Sequence, residues 1–111
     1  MADMKRYMRR IRRNLPMTGT TRSSADLDPR RRKALFRSWH RGMREMDLIL
    51  GGFADDHIGE LTDEDMDVYE ALLDQSDPEL FKWFTGELPL PADQDTAVFR
   101  KIVDHRRHRQ F

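Results

Sequence analysis

The 111-residue chain contains no cysteine, so no disulfide can supplement what must be a modest hydrophobic core, and a reducing compartment fits the composition. It also lacks any run of about 18 apolar residues: the longest cluster, Leu48-Ile49-Leu50, is far too short to span a bilayer, and a soluble protein that engages no membrane is expected. No segment repeats at a fixed period, which argues against a solenoid. No glycine-rich loop follows a strand, so Gly51-Gly52 does not suggest a nucleotide site. Acidic residues are nearly missing from the first 24 positions, where Arg, Ser and Thr predominate. That bias is shared by mitochondrial transit peptides, but the segment has no convincing apolar face. A disordered basic arm is expected instead, with Met17 as an alternative start.

Apolar residues make up 38% of the chain and charged ones 36%, enough Leu, Ile, Met and aromatic side chains for one thin-cored helical domain. The net charge of zero conceals a strong segregation. Residues 1–44 carry 14 basic and 3 acidic side chains, residues 45–98 carry 1 basic (Lys82) and 16 acidic, and residues 99–111 carry 5 basic and 1 acidic. Such a distribution can steer a partner that shows complementary patches; the plainer reading is that opposite regions neutralise each other within the fold.

Residues 1–27 show no sustained periodicity and contain Pro16, Gly19 and a Thr/Ser cluster, so the folded domain is expected over 28–108. Asp28-Pro29 supplies an N-cap oxygen and a first-turn residue that needs no amide partner. Leu35, Phe36 and Trp39 follow at helical spacing, which predicts a helix over about 29–40. Gly42 stands where a positive-φ residue would close it. Met43, Met46, Leu50, Phe53 and His57 then line one face of a second helix. Gly51 and Gly52 each cost that helix about 1 kcal/mol against alanine, so it needs tertiary contacts, or else the pair permits a close crossing or a bend. Thr62 and Asp65 approximate a capping box ahead of Met66, Tyr69, Leu72 and Leu73, a third helix over about 62–75. Asp77-Pro78 repeats the start signal for a short helix carrying Leu80, Phe81 and Phe84, with Gly86 after its last turn. Leu88-Pro89-Leu90-Pro91 cannot continue a helix. The last helix is expected over about 93–107, capped by Asp93 or Asp95, with Val98, Phe99, Ile102 and Val103 inward. The predicted fold class is all-α, a compact five-helix bundle.

Few residues suggest chemistry. His40 and His57 lie 17 apart and His105 and His108 three apart, with no Cys or His-Glu-x-x-His arrangement, so neither a catalytic nor a metal site is expected. The acidic run at 63–67 lacks the glycine and alternating oxygen ligands of a calcium loop and reads as a helix N-terminus favoured by the dipole. Trp83, beside Phe81 and Phe84, is expected in the core, whereas Trp39 suits a core position or a binding anchor equally. Arg9-Arg10-Ile11-Arg12-Arg13 and Arg30-Arg31-Arg32-Lys33 could contact phosphates, but no aromatic residue interleaves the second cluster and the acidic middle would repel a polyanion, so no nucleic-acid partner is expected.

The break between the first two helices, Arg41-Gly42-Met43-Arg44-Glu45, is the most informative stretch. Taken by itself it is accounted for by Gly42 as a terminator, Arg41 and Arg44 as solvated charges, Met43 as core and Glu45 at a helix N-terminus. In context, Trp39-His40-Arg41-Gly42-Met43-Arg44-Glu45-Met46-Asp47-Leu48-Ile49-Leu50 resembles the signature of the small assembly factors that promote covalent attachment of FAD to the flavoprotein subunit of succinate dehydrogenase. Arg41, Gly42 and Glu45 match the Arg-Gly-x-x-Glu surface motif of that family, with Met43 in its usual apolar slot. The similarity extends over roughly residues 30–107, through Leu72-Leu73, Asp77-Pro78-Glu79-Leu80-Phe81-Lys82-Trp83 and Pro91-Ala92-Asp93.

The resemblance implies a non-enzymatic factor that binds the succinate dehydrogenase flavoprotein subunit, with fumarate reductase as a related client, and that holds no stable cofactor of its own; small size and the absence of a heptad run predict a monomer. FAD becomes attached to a histidine of the client. Arg41, Gly42, Met43 and Glu45 are the expected partner-binding residues, with Arg44 free to vary. A bacterial cytoplasmic location is expected, or a mitochondrial matrix one. A nucleic-acid-binding or antitoxin-like regulator and a general helical adaptor are the competing classes.

Overall fold

Asp28 caps the first helix as its place before a proline predicts. Its carboxylate accepts the Arg31 amide at 2.8 Å, and α1 runs Pro29–Trp39. The computed structural model describes residues 23–109, so the arm expected over 1–27 falls mostly outside the described residues. Leu27, on the arm side of that boundary, is only 6% exposed and joins the core, held in a turn where its N–H donates to the Ser24 carbonyl at 3.1 Å.

Helix α2 spans Arg44–His57 and passes into a 3-10 turn at Ile58–Glu60; α3 spans Asp63–Leu73, α4 Asp77–Thr85, and α5 Ala97–Arg109 after a 3-10 turn at Ala92–Gln94. The described residues thus form five α-helices and no strand, the all-α architecture expected. None of these helices is long and apolar enough to cross a membrane. The capping box is present: Thr62 Oγ1 accepts the Asp65 amide at 3.0 Å while the Asp65 carboxylate accepts the Thr62 amide at 3.4 Å. The last helix begins later than expected. Asp95 gives its carboxylate to a two-pronged pair with Arg100, at 2.9 and 3.1 Å, and the Phe99 amide is accepted by Thr96 Oγ1 instead, at 3.1 Å.

Helix α2 is the hub, packed against α1, α4 and α5, while α3 packs on α1 and α5. Met46, Leu50, Phe53 and Ala54 are fully buried along it, each large side chain contributing about 1.5–3 kcal/mol by leaving water. The glycine pair does not break it. A β-carbon on Gly51 would lie 2.3 Å from Trp39 Cδ2, so α1 and α2 cross closely with the indole against bare backbone. Trp39 is therefore core, 6% exposed, and its Nε1–H donates to Asp55 Oδ1 at 3.0 Å. Trp83 is half-buried against the same core. Ser38 and Tyr69, both fully buried, share a hydroxyl contact of 2.6 Å that reaches the carbonyls of Ala34 and Leu50. Burial raises the Tyr69 phenol well above its usual pKa and keeps it a neutral donor.

The segregated charges meet across α1 and α3. Arg30 donates to both oxygens of Glu70 at 2.9 Å and also contacts Asp67, Arg31 pairs with Asp28 at 2.6 Å and Asp63 at 3.3 Å, and Arg37 pairs with Asp74 at 2.7 Å. Among the described residues, basic side chains of α1 are thus neutralised by acidic ones on or next to α3, as the plainer of the two readings expects. Each exposed pair is worth little alone, but together they select the face of α1 that meets α3.

Candidate docking surface

Helix α1 stops at Trp39 because the next residues leave helical geometry: His40 adopts φ −127°, and Gly42 has φ +96°, a conformation that an L side chain rarely takes. Met43 is extended and caps α2 with no side-chain hydrogen bond. The bend is held from within α2, since Asp47 Oδ1 accepts the Arg41 amide at 2.6 Å.

Arg41, expected to offer its guanidinium to a partner, turns it inward. Nε donates to Asp77 Oδ1 at 2.7 Å, Nη2 to the Gln75 carbonyl at 2.7 Å, and Nη1 to the Leu73 carbonyl. The physical reason lies at the end of α3, where carbonyls left without intrahelical partners favour a cation. Asp77 adds a carboxylate from the first turn of α4. Asp77 stands before a proline as a helix cap would, but Ser76 takes that position, without a side-chain cap bond, and Asp77 serves Arg41.

Gly42, Arg44 and Glu45 face outward. Gly42 is exposed with nothing within 4 Å of where a β-carbon would stand, and Met43 is half-buried against the core. Arg44 and Glu45 are exposed on the first turn of α2. Phe36 shares helical spacing with Leu35 and Trp39, yet Leu35 is fully buried and Phe36 is 51% exposed. Successive helical residues turn by about 100°, so the 35/39 stripe leaves position 36 at its edge. Its ring stacks on His40 one turn later, centroids 3.9 Å apart and 13° from parallel.

The sequence profile of a family described as "Flavinator of succinate dehydrogenase" matches residues 32–106. The chain belongs to this flavinator family. That match takes in most of α1 and all of the Arg41–Glu45 bend, and runs into α5. Among relatives, the FAD assembly factor SdhE of Acetobacter pasteurianus is 39% identical over 85 residues, 77% of this chain and 78% of its own. Two mitochondrial proteins called succinate dehydrogenase assembly factor 2 are also similar. The one from Dictyostelium discoideum is 36% identical over 73% of this chain and 57% of its own; the one from Candida glabrata is 30% identical over 80% and 61%. The flavinator chain thus spans under two-thirds of the length of those mitochondrial relatives. No solved structure gives a significant match.

A concavity lies at the far end of α2, a groove of about 500 Å³ whose lining includes His57, Glu60, Lys101, Asp104, His105 and His108. His105 is 9% exposed and its Nε2 lies 2.7 Å from Asp56 Oδ2, and its ring meets His57 edge-on at 5.4 Å. Spacing along α5 puts His105 near His108, and folding brings His57 to the same groove. Among the described residues no group of three or more His, Cys, Asp or Glu is arranged to hold a metal.

Proposed function

We propose that this flavinator binds the flavoprotein subunit of succinate dehydrogenase and promotes covalent attachment of FAD to it, docking through the α1–α2 bend. What carries the reading is the combination of family membership with a bend that keeps Gly42, Arg44 and Glu45 open to solvent. Glu45 accepts charge-assisted hydrogen bonds from the client, Gly42 allows its backbone to approach closely, and Met43 supplies an adaptable apolar edge. Arg41 acts from behind, fixing the bend to the corner between α3 and α4.

The reacting groups, a histidine and the flavin, belong to the client, and the factor is not an enzyme. FAD is its client's cargo. By binding one client conformation better than others, the factor raises the population in which histidine and flavin are aligned. A preference of about 1.4 kcal/mol shifts that ratio tenfold. It works as a monomer wherever its client is made, the bacterial cytoplasm or the mitochondrial matrix. The pairing of Arg30, Arg31 and Arg37 with acidic neighbours counts against that stretch of α1 as a phosphate site; the Arg9–Arg13 cluster of the nucleic-acid alternative lies outside the described residues.

Covalent flavin incorporation into purified client, with and without the protein, tests the activity. Gly42→Arg and Glu45→Ala test the surface: both variants fold and lose client affinity. Full affinity in both would place the contact elsewhere.

A further inference from the structure

Among the described residues Phe36, at 51%, is more exposed than the other large apolar side chains at the surface, Val68 at 36% and Leu88 at 42%. A lone exposed apolar side chain is ordinary on a protein surface; Phe36 is set apart by the groove beside it. The ring is also fixed in place. It stacks on His40, and His40 Nδ1 lies 2.8 Å from the Phe36 carbonyl, so the two rings form a shelf that loses little freedom when something packs on it.

Beside the shelf is a groove of about 370 Å³ lined by Phe36, Arg37, His40 and Arg41 on one side and Gln75, Ser76 and Asp77 on the other. Its ionic groups are already partnered, Arg37 with Asp74 and Arg41 with Asp77. An incoming charge would have to displace one of them, whereas the ring faces, with the uncharged Gln75 and Ser76 at the rim, suit an apolar body with a polar edge. The groove is continuous with the proposed docking bend, because Arg41 both lines it and leads into Gly42.

We propose that the Phe36–His40 shelf is a second anchor point of the docking surface, receiving an apolar or aromatic side chain of the same flavoprotein subunit next to the contact made by Gly42 and Glu45. This rests on the docking function proposed above. Aromatic anchors seated in pockets commonly dominate interface energetics, with surrounding polar contacts excluding water.

The test measures binding of purified client subunit to the full-length protein and to Phe36→Ser, Phe36→Tyr, Glu45→Ala and Gly42→Arg. Phe36→Ser should keep its helix content and melting temperature while its Kd rises at least tenfold, mainly through faster dissociation; Phe36→Tyr, which retains the ring, should bind nearly normally. Unchanged affinity in Phe36→Ser alongside weakened Glu45→Ala and Gly42→Arg would overturn the anchor and leave the bend standing. The reverse pattern would support the anchor and refute the bend. Client that does not bind the unaltered protein would refute both. If sedimentation showed the unaltered protein self-associated and Phe36→Ser monomeric, a second copy would be the occupant and the anchor proposal would fall.

Discussion

Arg41 and Asp77 form the most enclosed arginine–carboxylate pair among the described residues, with Nε 2.7 Å from Oδ1 and side chains 9% and 11% exposed. The pair joins two corners of the chain that are 36 residues apart. Removing one partner strands a charge away from water. Asp77→Ala should destabilise the fold by about 3 kcal/mol, and the double variant Arg41→Met/Asp77→Leu should recover much of that loss. Urea denaturation of these two variants beside the unaltered protein provides the check; a loss below about 0.5 kcal/mol in Asp77→Ala would mean that solvent screens the pair.

Gly51→Ala should disturb the crossing of α1 and α2. The added methyl would stand 2.3 to 2.7 Å from three atoms of the Trp39 indole, rigid neighbours that cannot yield without moving α1. A destabilisation of about 1–3 kcal/mol is expected, with a changed tryptophan emission, despite the better helix propensity of alanine. Increased stability would show that the crossing relaxes freely.

Gly42 makes a different demand. Its φ of +96° strains any L residue, yet no atom lies near the site of a β-carbon. Gly42→Ala should therefore lower stability by about 1–2 kcal/mol without a clash, and Gly42→Asn by less. Thermal denaturation distinguishes backbone strain from the steric loss at Gly51, since only the latter depends on Trp39.

Stability should fall in acid through Glu70. Its carboxyl is held below the usual carboxylate range chiefly by hydrogen bonds from Arg30. Folded Glu70 consequently binds fewer protons than unfolded Glu70, so its contribution is present above the ordinary value of 4.5 and is lost as pH falls through the lower folded value. Asp28 and Asp95 shift in the same direction, through Arg31 and Arg100. Urea midpoints measured between about pH 6 and about pH 3 should decline, with a shallower slope for Glu70→Gln. An unchanged slope would remove Glu70 as a cause.

Local chemistry accounts for what could be read ahead of the structure. Asp28-Pro29 and Thr62 with Asp65 start helices through contacts within one turn, and the apolar stripes on α2, α3 and α5 follow from a fixed 3.6-residue period. Such signals lie within a few residues of each other. Expectation and structure part where a side chain has both a local and a more distant option: Asp77 and Asp95 resemble caps but pair with arginines.

The sequence by itself determined the all-α character, the positions of the helices, the Gly42 break and membership of the flavinator family, because propensity, capping and motif order are properties of neighbouring residues. Only the tertiary structure decided that Arg41 faces inward, that Trp39 covers Gly51, and that Phe36 and His40 form an exposed shelf beside the bend. Those outcomes depend on which helix faces meet, and that choice is made by close packing and charge pairing between segments tens of residues apart.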